Sequence, residues 1–195
     1  MRRRQVLAGL GALGVGATAG CSLPGSETTI SNPVRDADDD GTDPYLSFRD
    51  DDEEVASLGF SPSVPDTGSI RVTAHLPHRD GTELTDATFD FRMVRDGEPV
   101  ATIVALVTPV TVEKPYVSAT FSGSRGSNVS TVRIDDFGDL ADETANLHFL
   151  VDRQEAGAST LHVDATVGLD GGGLLGSQYT LTGELDVPIP ARGSA

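Results

Sequence analysis

The chain has 195 residues and is strongly acidic, with 30 Asp and Glu against 14 Lys and Arg and a formal net charge of −16. A surface of that charge repels the phosphates of nucleic acids, which excludes nucleic acid as a partner, and it repels anionic lipid headgroups for the same reason. The chain has one cysteine, so it cannot form an internal disulfide.

Residues 1–20 contain the three parts of an export signal in the usual order. Arginines occupy positions 2–4, an apolar stretch runs from Val6 to about Ala19, and small residues precede Cys21. The apolar stretch is shorter than the roughly 20 residues that a membrane-spanning helix needs. A cleaved signal peptide over residues 1–20 is therefore favoured over a permanent membrane span.

The same segment resembles two known signals. Arg3 and Arg4, followed by Gln, Val and Leu, resemble the twin-arginine motif of exported proteins. Residues 18–21 read Thr-Ala-Gly-Cys and resemble the lipobox of lipoproteins, with Thr at the position that usually holds Leu. The resemblance implies export, cleavage before Cys21 and a lipid attached to Cys21. The expected location is the extracellular face of the cell membrane, with the lipid as the link to the membrane.

The composition adds a second resemblance. Abundant Asp, a single lysine and 5% aromatic residues resemble the proteins of salt-loving archaea, and the signal resembles that of their exported surface lipoproteins. Removal of residues 1–20 leaves 11 basic against 30 acidic residues, a net charge of −19. High salt screens the repulsion between such charges over a few Å, so a compact state survives. An ordinary acidic exported protein is the alternative.

Residues 21–57 are predicted to form an acidic, mostly disordered tether between the lipid and a folded domain. Acidic runs lie at residues 36–43 and 50–54, and aliphatic residues are few. Such a composition cannot bury enough apolar surface to form a core by itself.

A partial calcium-loop motif lies within this tether. Asp36, Asp38 and Asp40, followed by Gly41, match the opening of a loop in which alternate carboxylates converge on the ion. The last ligand position falls on Ser47, where a bidentate carboxylate is needed. We therefore favour a solvated linker and no cofactor, with calcium at residues 36–43 as the alternative.

From residue 58 to residue 190 the hydrophobic pattern has the period of two that is typical of half-buried strands. The continuous apolar run 100–107 predicts a strand buried on both faces. Turn residues separate the runs, and seven to nine strands in this length predict an all-β fold, an antiparallel β-sandwich, with residues 191–195 as a C-terminal tail. The alternating segments are 70–76, 89–93, 117–121, 147–151, 161–167 and 179–187.

Two stretches resemble parts of immunoglobulin-like domains. Residues 91–100 resemble a hairpin of those domains, with apolar alternation on both sides of an Asp-Gly turn. Residues 140–149 resemble the corner that enters strand F, with Leu147 and Phe149 where Tyr and Cys usually stand. The resemblance implies an immunoglobulin-like architecture and transfers no activity.

The histidines suggest one metal-binding alternative. If residues 152–160 form a hairpin loop, His148 and His162 both point outward and lie across from one another, with Asp164 two positions further on. Such a cluster has the ligand types that zinc takes in proteins. A metal-binding surface protein that uses this face or residues 36–43 is therefore the alternative function.

Enzyme motifs are missing from the sequence. The chain has no G-x-S-x-G elbow and no Gly-Lys-Ser/Thr phosphate loop, and Cys21 lies in the tether, where it cannot serve a copper site. We therefore expect a non-enzymatic, lipid-anchored module that binds an unidentified protein, glycan or small ligand, or serves a larger envelope assembly. Asn128, followed by Val129 and Ser130, is an expected glycosylation acceptor.

Overall fold

The computed structural model describes residues 27–37, 43–65, 69–107, 118–123, 127–142, 144–153, 157–171 and 176–190. Within these residues no helix has the length and hydrophobicity of a membrane span. One turn of 3-10 helix covers Gly138–Leu140. The strands are β1 Glu27–Ile30, β2 Val34–Ala37, β3 Pro44–Asp50, β4 Glu53–Ser63, β5 Ile70–Leu76, β6 Glu83–Arg95, β7 Glu98–Val100, β8 Thr102–Val107, β9 Ser118–Ser122, β10 Ser130–Asp136, β11 Ala145–Arg153, β12 Thr160–Asp170 and β13 Gln178–Pro188.

The strands form two sheets that pack as a sandwich. One sheet has seven strands in the order β1-β13-β12-β6-β10-β9, with β7 also paired to β6, and the other has six in the order β2-β3-β4-β5-β11-β8. Pairing is antiparallel except between β1 and β13, which run parallel. The predicted all-β sandwich is confirmed. The described residues form more than the seven to nine strands predicted, because β1 to β3 lie before residue 58, where the predicted domain begins, and β4 starts before it.

A cluster of phenylalanines joins the two sheets in the core. Phe89 and Phe91 point inward from β6, and their rings lie 5.7 and 4.9 Å from the ring of Phe149 on β11. Phe60 on β4 meets Phe89 edge to face at 6.3 Å. All four side chains are buried. Aromatic pairs at such distances add to the stabilisation that comes from burying their area.

The prediction that residues 21–57 form a disordered tether is wrong for the residues described there. Leu46 and Phe48 on β3 and Val55 on β4 are buried in the core. β3 pairs with β4, and β4 continues the sheet through β5. The apolar residues of this segment are few, but they alternate and add to a core that the rest of the chain supplies. The domain therefore begins well before residue 58.

The run 100–107 does not form one strand buried on both faces. β7 ends at Val100 beside β6, and β8 continues from Thr102 at the edge of the other sheet. The buried hydroxyl of Thr102 accepts from the backbone N–H of Met93 at 2.8 Å and donates to the carbonyl of Val100 at 2.9 Å. A two-layer sandwich covers each sheet on one face only, so Ile103 is 37% exposed.

The sandwich has two distinct ends. At the N-terminal end, Glu27 of β1 lies beside Gln178 of β13. The turn between β3 and β4 is at this end too, because the Tyr179 hydroxyl donates to Asp50 at 3.3 Å. At the opposite end, Pro188 of β13 lies beside Thr160 of β12. β13 runs from the first end to the second.

Candidate functional site

The outer surface of the seven-stranded sheet carries a continuous set of polar side chains, which we call the polar face. The alternation that turns the apolar residues of β6, β12 and β13 inward turns these residues outward. The register places Asp164 between Asp90 and Glu184, and it places His162 between Arg92 and Asp186. The polar face consists of Thr88, Asp90, Arg92, His162, Asp164, Thr166, Thr182, Glu184 and Asp186.

Arginines hold two of these carboxylates. Arg92 on β6 forms an ion pair with Asp164 on β12. Arg35 lies on β2 of the other sheet and reaches Glu184 on β13, with 2.8 Å between Nη2 and Oε1. The side chains of Arg35 and Glu184 are 59% and 58% exposed, so this pair contributes about 1 kcal/mol or less to stability. The pair brings the Glu184 carboxylate towards Arg35 of β2.

His162 is oriented by Asp186. Nδ1 of His162 lies 2.7 Å from Oδ1 of Asp186, and its N–H donates to that carboxylate. In the neutral imidazole the lone pair is then on Nε2. Nε2 lies 3.4 Å from Oδ1 of Asp164. Two electron-pair donors, Nε2 of His162 and Oδ1 of Asp164, therefore face each other across a gap that suits a cation or a proton.

A groove opens beside this cluster, between the segment 31–35 and the strands β12 and β13. Its volume is about 540 Å³. Asp164 and Glu184 stand in its wall together with hydroxyl groups from Thr166 and Thr182. The lining is therefore polar, and it suits a polar or charged ligand rather than an apolar one.

His148 and His162, which the sequence predicted to lie close together, are far apart in the structure. His148 lies on β11 of the six-stranded sheet and His162 on β12 of the seven-stranded sheet. Both side chains point outward as predicted, but from opposite faces of the sandwich. The chain crosses between the sheets after β11 instead of forming a hairpin, so the proposed His148/His162 metal face is wrong. His148 contacts Thr73 on its own sheet, with 3.1 Å between Nδ1 and Oγ1.

The first aspartate of the calcium-loop motif, Asp36, lies in a strand and not in a loop. Asp36 lies in β2, and its carboxylate accepts from the backbone N–H of Ala37 at 2.8 Å. The negative charge of Asp36 is the main cause that raises the pKa of Tyr45, followed by burial of the phenol. Asp38 and Asp40 lie outside the described residues.

The other predicted site residues lie in two places. Arg3, Arg4 and Cys21 lie outside the described residues, and export and lipid attachment stay predictions. Asn128 is exposed in a bend ahead of β10. Ser127, its neighbour, accepts a backbone hydrogen bond from Thr102 at 3.0 Å. An exposed position is what glycosylation of Asn128 requires, and that modification also stays a prediction.

Sequence reasoning missed most of the polar face. The outward parity of Glu184 and Asp186 could be read from the alternation in 179–187. Their neighbours could not, because β6 and β12 are far apart in sequence and their register is set by packing of the core. The two arginines that hold the carboxylates gave no sequence signal.

The comparisons with known proteins give a family. The profile of a family described as "Domain of unknown function (DUF8121)" matches residues 27–191. No curated protein matches the sequence.

The chain matches two solved structures at low similarity. One is a cohesin module from a Clostridium perfringens family 33 glycoside hydrolase, with 11% identity, a TM-score of 0.42 and coverage of 69% of this chain and 97% of that chain. The other structure contains manganese lipoxygenase of Gaeumannomyces graminis and part of zonadhesin of Komagataella pastoris. It has 14% identity, a TM-score of 0.33 and coverage of 79% of this chain and 70% of that chain. Neither likeness carries a function to this chain.

Proposed function

The chain belongs to the DUF8121 family through residues 27–191, and from its own residues we propose that it is an exported, lipid-anchored, non-enzymatic binding module. The observation that carries the proposal is the spacing of the anchor and the domain. Cys21 lies six residues before Glu27, where β1 begins. Six residues reach at most about 20 Å, so a lipid on Cys21 holds the sandwich close to the membrane surface.

The attachment point also bears on the orientation of the sandwich. β1 begins at the N-terminal end, so a lipid on Cys21 brings this end nearer to the membrane than the opposite end. The turn that carries Asp51 and Asp52 lies there, and its charges repel anionic headgroups. The opposite end, with Pro188, faces away from the cell. Asn128 lies towards that end, because Ser130 pairs with Phe91 near the end of β6.

The polar groove supports a binding role. It lies on the side of the sandwich, between the membrane-facing and outward-facing ends, and opens to solvent. Its carboxylates are held in position by arginines from two other strands, β2 and β6. A preorganised polar surface loses less conformational entropy when a ligand binds. We propose this groove as the ligand site of the module.

The contact between Thr82 and His78 is not arranged for nucleophilic catalysis. A nucleophilic hydroxyl needs a histidine that takes its proton. The hydroxyl of Thr82 lies 2.8 Å from Nδ1 of His78, but it donates to the carbonyl of Arg79 at 2.6 Å. Its proton is therefore directed to the backbone and not to the imidazole.

Cell fractionation tests the proposal. In a host with a twin-arginine export system, the wild-type chain is expected in the membrane fraction and accessible from outside the cell. Arg3→Lys with Arg4→Lys is expected to leave the chain inside, and Cys21→Ser is expected to release it or leave an uncleaved precursor. Arg2→Lys and Ser22→Ala are the matched controls and are expected to behave as wild type. An unchanged external membrane fraction in both test variants would contradict the proposal.

A further inference from the structure

We propose that His162, Asp164 and Glu184 bind a divalent transition-metal ion, with Zn²⁺ as the best fit, in the wall of the groove. This inference rests on the proposed function, because it names the class of ligand that binds at the proposed groove. The three residues come from adjacent strands, two from β12 and one from β13. One ligand atom from each lies within 4.8 Å of the others.

The distances already approach those of a metal centre. Zinc binds His nitrogen and carboxylate oxygen at about 2.0–2.2 Å, so a tetrahedral ion holds its ligand atoms about 3.4 Å apart. Nε2 of His162 and Oδ1 of Asp164 lie 3.4 Å apart. Glu184 is the more exposed ligand and its flexible side chain makes the final adjustment.

The imidazole is prepared for a metal by its neighbour. Histidines that bind metals usually donate their other ring N–H to a carboxylate, which fixes the ring and the tautomer. Asp186 accepts the Nδ1 proton of His162 at 2.7 Å. Nε2 therefore presents its lone pair towards Asp164, which stands in the wall of the groove. Asp186 acts as a positioning residue and not as a ligand.

The arginines leave each carboxylate with an oxygen directed elsewhere. Arg92 takes Oδ2 of Asp164, while Oδ1 faces His162. Arg35 takes Oε1 of Glu184. Asp164, Glu184 and Asp186 bring three negative charges to the cluster, and Arg35 and Arg92 bring two positive charges. A divalent cation compensates the remaining negative charge.

The ligand set discriminates between metals. Calcium takes 6–8 oxygen ligands, and this cluster offers two carboxylates and a nitrogen. Imidazole with carboxylates suits zinc and its transition-metal neighbours. Three protein ligands beside an open groove leave a fourth position for water or a ligand group.

Metal titration of the full chain tests the inference. The chain carries Cys21→Ser, which removes its only thiol, and it is purified without a histidine tag. Zn²⁺ is titrated by calorimetry, and Co²⁺ is titrated by its visible absorption as a spectroscopic signature. We expect one Zn²⁺ per chain, with affinity lowered at least tenfold by His162→Gln and by Asp164→Asn. Asp186→Asn is expected to lower the affinity by about 10–100-fold through the lost orientation of His162.

His148→Gln, on the opposite face of the sandwich, is the matched control and is expected to bind Zn²⁺ as the parent does. Thermal unfolding without metal checks that each variant folds. The inference is overturned if the parent binds no stoichiometric Zn²⁺, if His162→Gln binds as tightly as the parent, or if Ca²⁺ binds as tightly as Zn²⁺. Cell fractionation tests the lipid anchoring independently of Zn²⁺ binding. Zn²⁺ binding by a chain that is not anchored overturns the anchoring alone, and an anchored chain without Zn²⁺ binding overturns this inference alone.

Discussion

Adjacent residues on β11 show how strand parity decides what a side chain does. Phe149 is buried and its ring lies 4.9 Å from that of Phe91, whereas His148 is exposed on the outer face. Phe149→Ala is expected to lower the free energy of unfolding by about 3–5 kcal/mol, because it leaves a cavity between the sheets. His148→Ala is expected to change it by about 0.5 kcal/mol or less. Urea unfolding of the two variants measures the contrast, and an equal or larger loss for His148→Ala would mean that the register is wrong by one residue.

Tyr45 provides a pH-dependent test at the residue scale. The negative charge of Asp36, followed by burial, raises the pKa of Tyr45 above its ordinary value of 10.0. The folded chain therefore holds the phenol proton more tightly than the unfolded chain. The resulting contribution to stability is present below pH 10 and is lost as the pH rises through the folded-state pKa.

Asp36→Asn is expected to lower the pKa of Tyr45 towards its ordinary value, because it removes the nearby charge. Ultraviolet titration of tyrosinate measures this shift in a chain in which Tyr116 and Tyr179 are replaced by Phe. Asp142→Asn is the control and is expected to leave the titration unchanged. A Tyr45 titration that is the same with Asp36 and with Asn at that position would contradict the assignment.

At the scale of elements, β3 and β4 make the N-terminal segment part of the domain. Each buried Leu, Phe or Val side chain contributes about 1.5–3 kcal/mol relative to an exposed one. A domain is stable by about 5–15 kcal/mol in total. The removal of Leu46, Phe48 and Val55 together is therefore comparable with the whole stability of the sandwich.

A chain that begins at Leu58 is expected to lose cooperative unfolding, because it lacks β1 to β3 and the start of β4 and exposes the core residues that these strands cover. A chain that begins at Glu27 keeps every described strand and is expected to unfold like the chain that begins at Cys21. Thermal unfolding followed by far-ultraviolet circular dichroism distinguishes the two truncations. Equal thermal midpoints for the truncations at Glu27 and Leu58 would mean that residues 27–57 are not part of the folded domain.

Local alternation predicted most strands beyond residue 58, because the period of two reports directly which face is buried. The prediction failed for residues 21–57, where it relied on the average composition of a long segment instead of on alternation. Leu46 and Phe48 alternate with polar residues, but acidic runs on both sides concealed them. It also failed across sheets, because sequence does not show whether β11 and β12 form a hairpin or cross the sandwich. Because β11 and β12 lie in different sheets, His148 is far from His162, and His162 lies beside Asp186.

At the scale of the whole molecule, charge is expected to control stability. The chain without residues 1–20 has a net charge of −19, and the repulsion between these charges favours the unfolded state. The Debye length falls from about 10 Å at 0.1 M salt to about 3 Å at 1 M. We expect the thermal midpoint to rise over this range in KCl. A midpoint that stays flat would contradict the resemblance of the composition to that of proteins from salt-loving archaea.

We propose that a lipid on Cys21 holds the sandwich at the outer membrane surface. Mass spectrometry of the N-terminal peptide from the membrane-extracted protein tests it most directly, because the peptide's mass reports both the cleavage site and the modification. We expect a peptide that begins at Cys21 and carries the added mass of a lipid. A peptide that begins at Met1, or an unmodified Cys21 at the N-terminus, would contradict the proposed lipid anchor.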